Sequence, residues 1–204
     1  MPTKPTIVVF DVGKVLLDWD PRYLYRKIFP DAQKMEWFLA NVCTDAWNLE
    51  QDRGRTFADA VAVLSQQHPE YAAEIRAFDE RWHETVPHAI EGTVAILSKL
   101  QASGVPTYCI TNFNQDKFRE SRARFPFLNS FRGTIVSGED RLLKPDARIY
   151  QLLLSRYGLN AADCFFIDDS PRNVDGARAV GMQSEVFTTP EQFAADLRRH
   201  GFAV

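Results

Sequence analysis

Asp11 closes the run Thr6-Ile7-Val8-Val9-Phe10, which reads as a buried strand that stops on a carboxylate. A carboxylate is costly to bury. At such a strand end it is paired, bound to a metal or set at a cleft mouth, with capping of the next turn as the competing role. Later segments repeat the design. The strand Pro106-Thr107-Tyr108-Cys109-Ile110 runs into Thr111-Asn112, and Cys164-Phe165-Phe166-Ile167 runs into Asp168-Asp169. Lys144 precedes Pro145 just ahead of a helix. Ligands of open α/β sheets bind outside the carboxyl ends of the strands. An acid, a hydroxyl, a cation and an acidic pair are therefore expected to meet at one sheet edge.

The elements that would position them follow from periodicity and punctuation. From about Ile90 onward helices and strands alternate. Helices are expected over 94–101, 115–124, 147–157, 171–180 and 190–199, and strands over 106–111, 134–137, 164–168 and 185–187. That alternation predicts an α/β fold, a Rossmann-like parallel sheet with right-handed crossovers. From Asp18 to His88 strand-like runs give way to aromatics and helix formers, with helices expected over 23–28, 33–40, 45–50, 57–67 and 72–82. Thr56 is a fitting N-cap for the fourth of these. The expected organisation is a core of residues 1–17 and 89–204 and a small all-helical cap of residues 18–88, inserted after the first strand.

Bulk properties set limits. The 204 residues suit one domain or one domain with an insert, and 45% hydrophobic residues supply a core. The net charge is −3 and there is no basic run, which argues against nucleic acid as a partner. No apolar stretch approaches a membrane span of about 20 residues. Met1-Pro2-Thr3-Lys4-Pro5 lacks a signal-peptide shape, and Cys43, Cys109 and Cys164 lack zinc spacing. These features predict reduced thiols in a cytoplasmic monomer or homodimer. His68, His83, His88 and His200 also lack metal-ligand spacing and are expected at the surface or at helix ends.

The constellation resembles the haloacid dehalogenase superfamily, mostly phosphate-transferring hydrolases, over nearly the whole chain, the helical insert resembling the family's small cap. The resemblance implies that Asp11 is the nucleophile, that Thr111 binds the transferring phosphoryl group and that Lys144 is the cation. It also implies that Asp168 and Asp169 hold Mg2+ together with Asp11 and the Gly13 carbonyl. These roles are chemically coherent. A carboxylate that attacks phosphorus forms an aspartyl phosphate and splits hydrolysis into two easier steps. Mg2+ prefers one or two carboxylates plus phosphate oxygens. Thr111 and the Asn112 backbone would donate to the phosphoryl oxygens. Register against the family's usual Gly-Asp pair favours Asp169 as direct ligand, leaving Asp168 to hold Lys144 or a metal-bound water. Asp175 is a third candidate, with a solvated helix position as its competing role.

One position departs from the family. Most phosphatases that the chain resembles carry a second aspartate two residues after the nucleophile, which protonates the leaving group; here that position is Gly13. General acid–base catalysis supplies about 10²–10⁴-fold. Asp18 and Asp20 are nearby in sequence, though turn formation ahead of Pro21 explains them equally well. Metal-independent 2-haloacid dehalogenases share the departure, because halide leaves unaided. The adjacent acids Asp168 and Asp169, which would repel each other without a cation, favour a metal. The expected function is a magnesium-dependent phosphatase acting on small phosphorylated metabolites, sugar phosphates among them. A 2-haloacid dehalogenase and a non-catalytic phosphate-ligand binding protein are the alternatives.

The cap is expected to set specificity through Trp47-Asn48-Leu49-Glu50-Gln51-Asp52-Arg53-Gly54-Arg55. Gly54 permits a tight turn and Arg53 would reach an anionic substrate. Trp19, Trp37 and Trp47 are candidates for either pocket or cap core. Phe113 and Asn114 are expected near the pocket, with N-capping as the other role for Asn114.

Overall fold

A computed structural model describes residues 4–204. The first strand, β1, covers Ile7–Phe10. Between it and the next strand the described chain is helical: α1 Arg22–Tyr25, α2 Ala32–Asn41, α3 Asp45–Asp52, α4 Phe57–Gln67, α5 Ala72–Glu80 and α6 Glu91–Ala102. There follow β2 Thr107–Thr111, α7 Gln115–Arg124, β3 Gly133–Val136, the short α8 Ser137–Asp140, α9 Ala147–Tyr157, β4 Cys164–Asp168, α10 Pro171–Ala179, β5 Gln183–Val186 and α11 Pro190–Arg199.

The five strands form one parallel sheet in the order β3-β2-β1-β4-β5. β1 lies at its centre, and Val8, Val9 and Phe10 have no exposed surface. Such a strand has helices on both faces, which is why its sequence is continuously apolar rather than alternating. On one face Phe10 meets Phe193 of α11 edge-on at 5.5 Å. On the other, Phe166 of β4 meets Tyr150 of α9 at 5.7 Å. The amide of Asp11 continues the ladder by donating to the Ile167 carbonyl at 3.0 Å. That bond sets the Asp11 carboxylate beside the end of β4.

The chain leaves and re-enters the core through a hydrogen-bonded neck. Residues 12–17 fold into a turn in which Leu16 and Leu17 donate to the Val12 carbonyl. Leu17 bridges Ala89, and the Asp18 amide donates to the His88 carbonyl at 3.1 Å. The helices beyond this neck pack around Tyr25, Phe29, Phe38, Phe57, Phe78 and Trp47, whose rings contact one another. Aromatic side chains give this small layer large buried area from few residues.

Several expected boundaries shift. The helix expected over 23–28 is only Arg22–Tyr25, and the one expected over 72–82 stops at Glu80, with a 3-10 turn at Trp82–Thr85. Ser137, expected as strand, instead opens α8. Thr56 does cap α4, accepting from the Asp59 amide at 3.1 Å.

The helical layer is docked on the sheet at the carboxyl ends of β2 and β3. Asn114 donates to the carbonyls of Gln51 (3.2 Å) and Arg55 (3.3 Å), and Ser137 Oγ donates to the Asp52 carbonyl at 2.5 Å. Lys117 pairs with Asp79 at 2.7 Å, and Arg124 donates to the carbonyls of His83, Val86 and Pro87. Gly54 sits at φ +107° with the Gly138 carbonyl 2.8 Å from where a Cβ would stand. An alanine there meets both an unfavourable backbone region and a clash with main chain, so Gly54→Ala is expected to cost about 1–3 kcal/mol. It should lower the thermal midpoint and speed proteolysis after Arg53 and Arg55; an unchanged melt and digest would show that the loop is not held as described.

Candidate active site

The site is built around a buried ammonium. Lys144 Nζ lies 2.7 Å from Asp11 Oδ1 and 2.6 Å from Asp168 Oδ2, and donates to the Ile110 carbonyl at 3.1 Å. All three of its protons are therefore used. The three side chains are almost completely buried. Burial alone would pull Lys144 down, but the two carboxylates outweigh it and hold the lysine above its ordinary value, fully charged. Burial pushes the Asp11 carboxyl well above the usual carboxylate range; Asp168 adds to the rise and Lys144 opposes it. One cation is too little for this group of acids.

Neighbouring groups fix most of the other polar atoms. Asp11 Oδ1 also accepts from the Val12 amide at 2.7 Å. Asp168 Oδ1 accepts from the Ser170 amide and from Asn173 Nδ2, both at 2.9 Å. Asp168 thus spends one oxygen on Lys144 and the other on the start of α10. Asp169, half-buried, faces the cleft. Burial raises its carboxyl too, with Asp168 adding to the effect. Asn112 fixes the Lys144 backbone through a reciprocal pair, Lys144 N to Asn112 Oδ1 at 2.8 Å and Asn112 Nδ2 to Lys144 O at 3.1 Å. Thr111 Oγ1 is buried with no protein partner among the described residues. A buried hydroxyl without a partner is costly, so a ligand oxygen or a water is required there.

The donor set suits a hard divalent cation. Carboxylate oxygens of Asp11, Asp168 and Asp169 lie within 4.8 Å of one another. The three acids share one buried ammonium, with Lys14 at the cleft wall acting on Asp169, and the carboxyls of Asp11 and Asp169 still stay raised, so an added cation would relieve their repulsion. Gly13 also lines this cleft, and a Cβ placed on it would meet nothing within 4 Å.

Two adjoining clefts meet here. One is lined by Asp11, Gly13, Lys14, Trp19, Asn112 and Asp169. The other, about 430 Å³ and open to solvent, reaches under the helical layer and shares Gly13, Trp19 and Asn112 with the first. Its walls are Trp19, Phe57, Trp82 and Phe113, with Asn48, Asp52, Asn114 and Lys117 as polar groups. Asn114 also caps α7, accepting from Asp116 and Lys117.

Other residues singled out from sequence lie elsewhere. Arg53 is exposed and pairs with Glu50 at 3.5 Å, lining neither cleft; the 51–55 loop turns Asp52 inward instead. Asp18 accepts from Tyr23 at 2.6 Å, and Asp20 caps Arg22 at 2.9 Å. Asp175 is exposed and pairs with Arg178. Trp37 is also exposed, and Trp47 packs on Phe78. Two residues had gone unremarked. Asn173 could have been found as the first-turn amide facing back to Asp168 behind Pro171. Asp52 belongs to the 47–55 stretch of the cap, where its sequence signal is weaker than that of the adjacent arginines for an anionic substrate.

Fold, buried cation and clustered carboxylates define a hydrolase of the α/β type with a helical insert. The chain belongs to the haloacid dehalogenase-like hydrolases: the model of that family matches residues 5–181. It is 29% identical over 177 residues, 85% of each chain, to the sesquiterpene phosphatase astK of Aspergillus oryzae. Among solved structures it resembles a haloacid dehalogenase family enzyme of Bacteroides thetaiotaomicron, with TM-score 0.78 and 22% identity over 96% of this chain and all of that one. The magnesium complex of that enzyme aligns with TM-score 0.77 and 20% identity. The L-2-haloacid dehalogenase of Xanthobacter autotrophicus, with chloropropionic acid covalently bound, aligns with TM-score 0.64 and 17% identity over 98% of this chain and 85% of that one.

Lys144 should be indispensable to stability as well as to chemistry. Removing one partner from a buried pair typically costs 3–5 kcal/mol, because the partner charges are left uncompensated. Lys144→Met is expected to lose about that much in urea unfolding, and the double variant Lys144→Met/Asp168→Asn to recover part of it. Additive losses in the double variant would contradict the pairing.

Proposed function

We propose that this chain is a magnesium-dependent phosphatase of small phosphorylated metabolites, sugar phosphates among them, acting through an aspartyl phosphate on Asp11. The observation that carries this reading is the Asp11 carboxylate, fixed by a buried Lys144 and set beside two further carboxylates at a cleft mouth. Asp11, Asp169 and the Gly13 carbonyl would hold Mg2+, with Asp168 close behind through its grip on Lys144. The ion would supply positive charge where an anionic nucleophile meets an anionic phosphate.

The protein's own groups do the rest. The Val12 amide and Lys144 orient Asp11 for in-line attack. Lys144 offsets charge on the incoming phosphoryl group, and the unpartnered Thr111 hydroxyl supplies a donor to one of its oxygens. The leaving group departs opposite Asp11, into the aromatic-walled cleft under the helical layer. Aryl, prenyl or pyranose faces would stack there. The phosphatase relative from Aspergillus oryzae and the magnesium complex of the Bacteroides enzyme support this reading. Dehalogenation is the weaker alternative, because it leaves the cleft-facing Asp169 without a task.

A panel of phosphomonoesters assayed with and without Mg2+ tests the proposal. Phosphate release is expected with Mg2+ and should be abolished by a chelator. Asp11→Asn should fold normally by circular dichroism and lose roughly 10⁴-fold or more in kcat, as on loss of a covalent nucleophile. Chloride release from 2-chloropropionate that survives chelation would favour the dehalogenase. Tight binding of phosphate analogues without turnover would favour a binding protein.

A further inference from the structure

Gly13 removes the usual proton donor, and neither Asp18 nor Asp20 lines the cleft: each is spent on a local bond. Among the described residues the only carboxylate lining the cleft under the helical layer is Asp52, at the last position of α3. Building on the phosphatase reading, we infer that Asp52 is the general acid and base of the reaction, supplied from the helical layer in place of a residue at position 13.

Placement comes first. Attacking and leaving oxygens of a phosphoryl transfer lie roughly in line. A nucleophile at the sheet edge therefore sends its leaving oxygen toward the layer that covers it. Asp52 lines that cleft together with Gly13, Trp19 and Asn112, the residues shared with the Asp11 cleft. Its backbone is held against the sheet by Ser137 through its own carbonyl and by Asn114 through those of Gln51 and Arg55. The acid is thus positioned by the core, not by a mobile surface loop.

Its surroundings suit proton transfer. Among the described residues Asp52 has no ion-pair partner; its side chain accepts from Asn48 Nδ2 at 3.2 Å. Arg53 of the same turn is paired with Glu50, and Arg55 is held by Gln51 and the Trp47 carbonyl. Lys117 of α7 faces the same cleft but is occupied by Asp79 and Glu120. On α8, Asp140 is paired with Arg156, and Glu139 and Arg141 are exposed. Burial pushes the Asp52 carboxyl up to about 7, against opposing effects of the Asn114 amide and the Lys144 charge. A donor with that value is poised for work near neutral pH.

The steps balance. A bond forms between Asp11 Oδ and phosphorus, the bond from phosphorus to the leaving oxygen breaks, and the Asp52 proton moves to that oxygen to release an alcohol. Water then attacks phosphorus and gives a proton to the Asp52 carboxylate. The Asp11–phosphorus bond breaks, and inorganic phosphate leaves with Asp52 protonated again.

The decisive measurement is rapid mixing of the Mg2+-loaded enzyme with p-nitrophenyl phosphate and with glycerol phosphate, for wild type, Asp52→Asn and Asp52→Asn/Gly13→Asp. Nitrophenolate needs no proton to leave, so Asp52→Asn should keep a burst of about one equivalent and then turn over slowly. Its turnover of the alkyl ester should fall about 10²–10⁴-fold, the usual contribution of a general acid. For glycerol phosphate the wild-type kcat/KM should decline as pH rises through about 7, where Asp52 loses its proton, and that limb should vanish in Asp52→Asn. Gly13→Asp has room for its side chain and should restore alkyl turnover in the double variant. Loss of the nitrophenolate burst along with alkyl turnover, or a basic limb on the alkyl ester that persists in Asp52→Asn, would overturn the assignment of Asp52 alone. A wild type that releases phosphate from neither ester would overturn the phosphatase reading beneath it.

Discussion

The structure depends on one buried ammonium shared between two carboxylates. Lys144 arrives from the loop before α9, Asp11 from the end of β1 and Asp168 from the end of β4. The sheet ladder sets Asp11 and Asp168 side by side, and Lys144 joins them from a third segment and holds both carboxylates. Such an arrangement is not valuable for stability in itself, since apolar packing often does as well. Its value is positional. It fixes a carboxylate at a strand end with its charge only partly offset, beside two further carboxylates at the mouth of a cleft.

The layers around that point serve it. The parallel sheet brings the ends of β1, β2 and β4 together at one edge, and Asn112 and Asn173 hold the backbone of Lys144 and the side chain of Asp168. The helical layer contributes nothing to the ion pair itself. It roofs the second cleft, with Trp19, Phe57 and Trp82 as walls and the end of α3 facing inward. Charge chemistry and substrate contact are thus divided between two parts of the chain that meet across Gly13.

Much of this was legible in the sequence, and what was not has physical causes. The strand ends at Asp11, Thr111 and Asp168 stood out because a polar residue after a buried apolar run has few explanations. The helices over 57–67, 115–124, 147–157 and 190–199 had clear caps and periodicity, and match the structure. Helix ends near Tyr25 and Glu80 were misjudged because 3-10 turns and frayed ends carry little sequence signal. Arg53 and Asp52 show a different limit. They are neighbours on one turn, and only the docking of that turn decides which side chain faces inward. Composition favours the arginine for an anionic substrate, whereas the backbone contacts to Asn114 and Ser137 present the aspartate.

Those contacts grip main-chain atoms. Asn114 and Ser137 hold the carbonyls of Gln51, Asp52 and Arg55, and a Cβ on Gly54 would collide with the Gly138 carbonyl of α8. Within the turn, the side chains of Gln51 and Arg55 close on each other and on the Trp47 carbonyl. The core thus grips this turn by its main chain, and the turn braces itself with two side chains that take no part in the buried ion cluster. A turn of this kind lets a lineage, or an engineer, exchange groups that face the aromatic-walled cleft while the buried ion cluster below stays as it is.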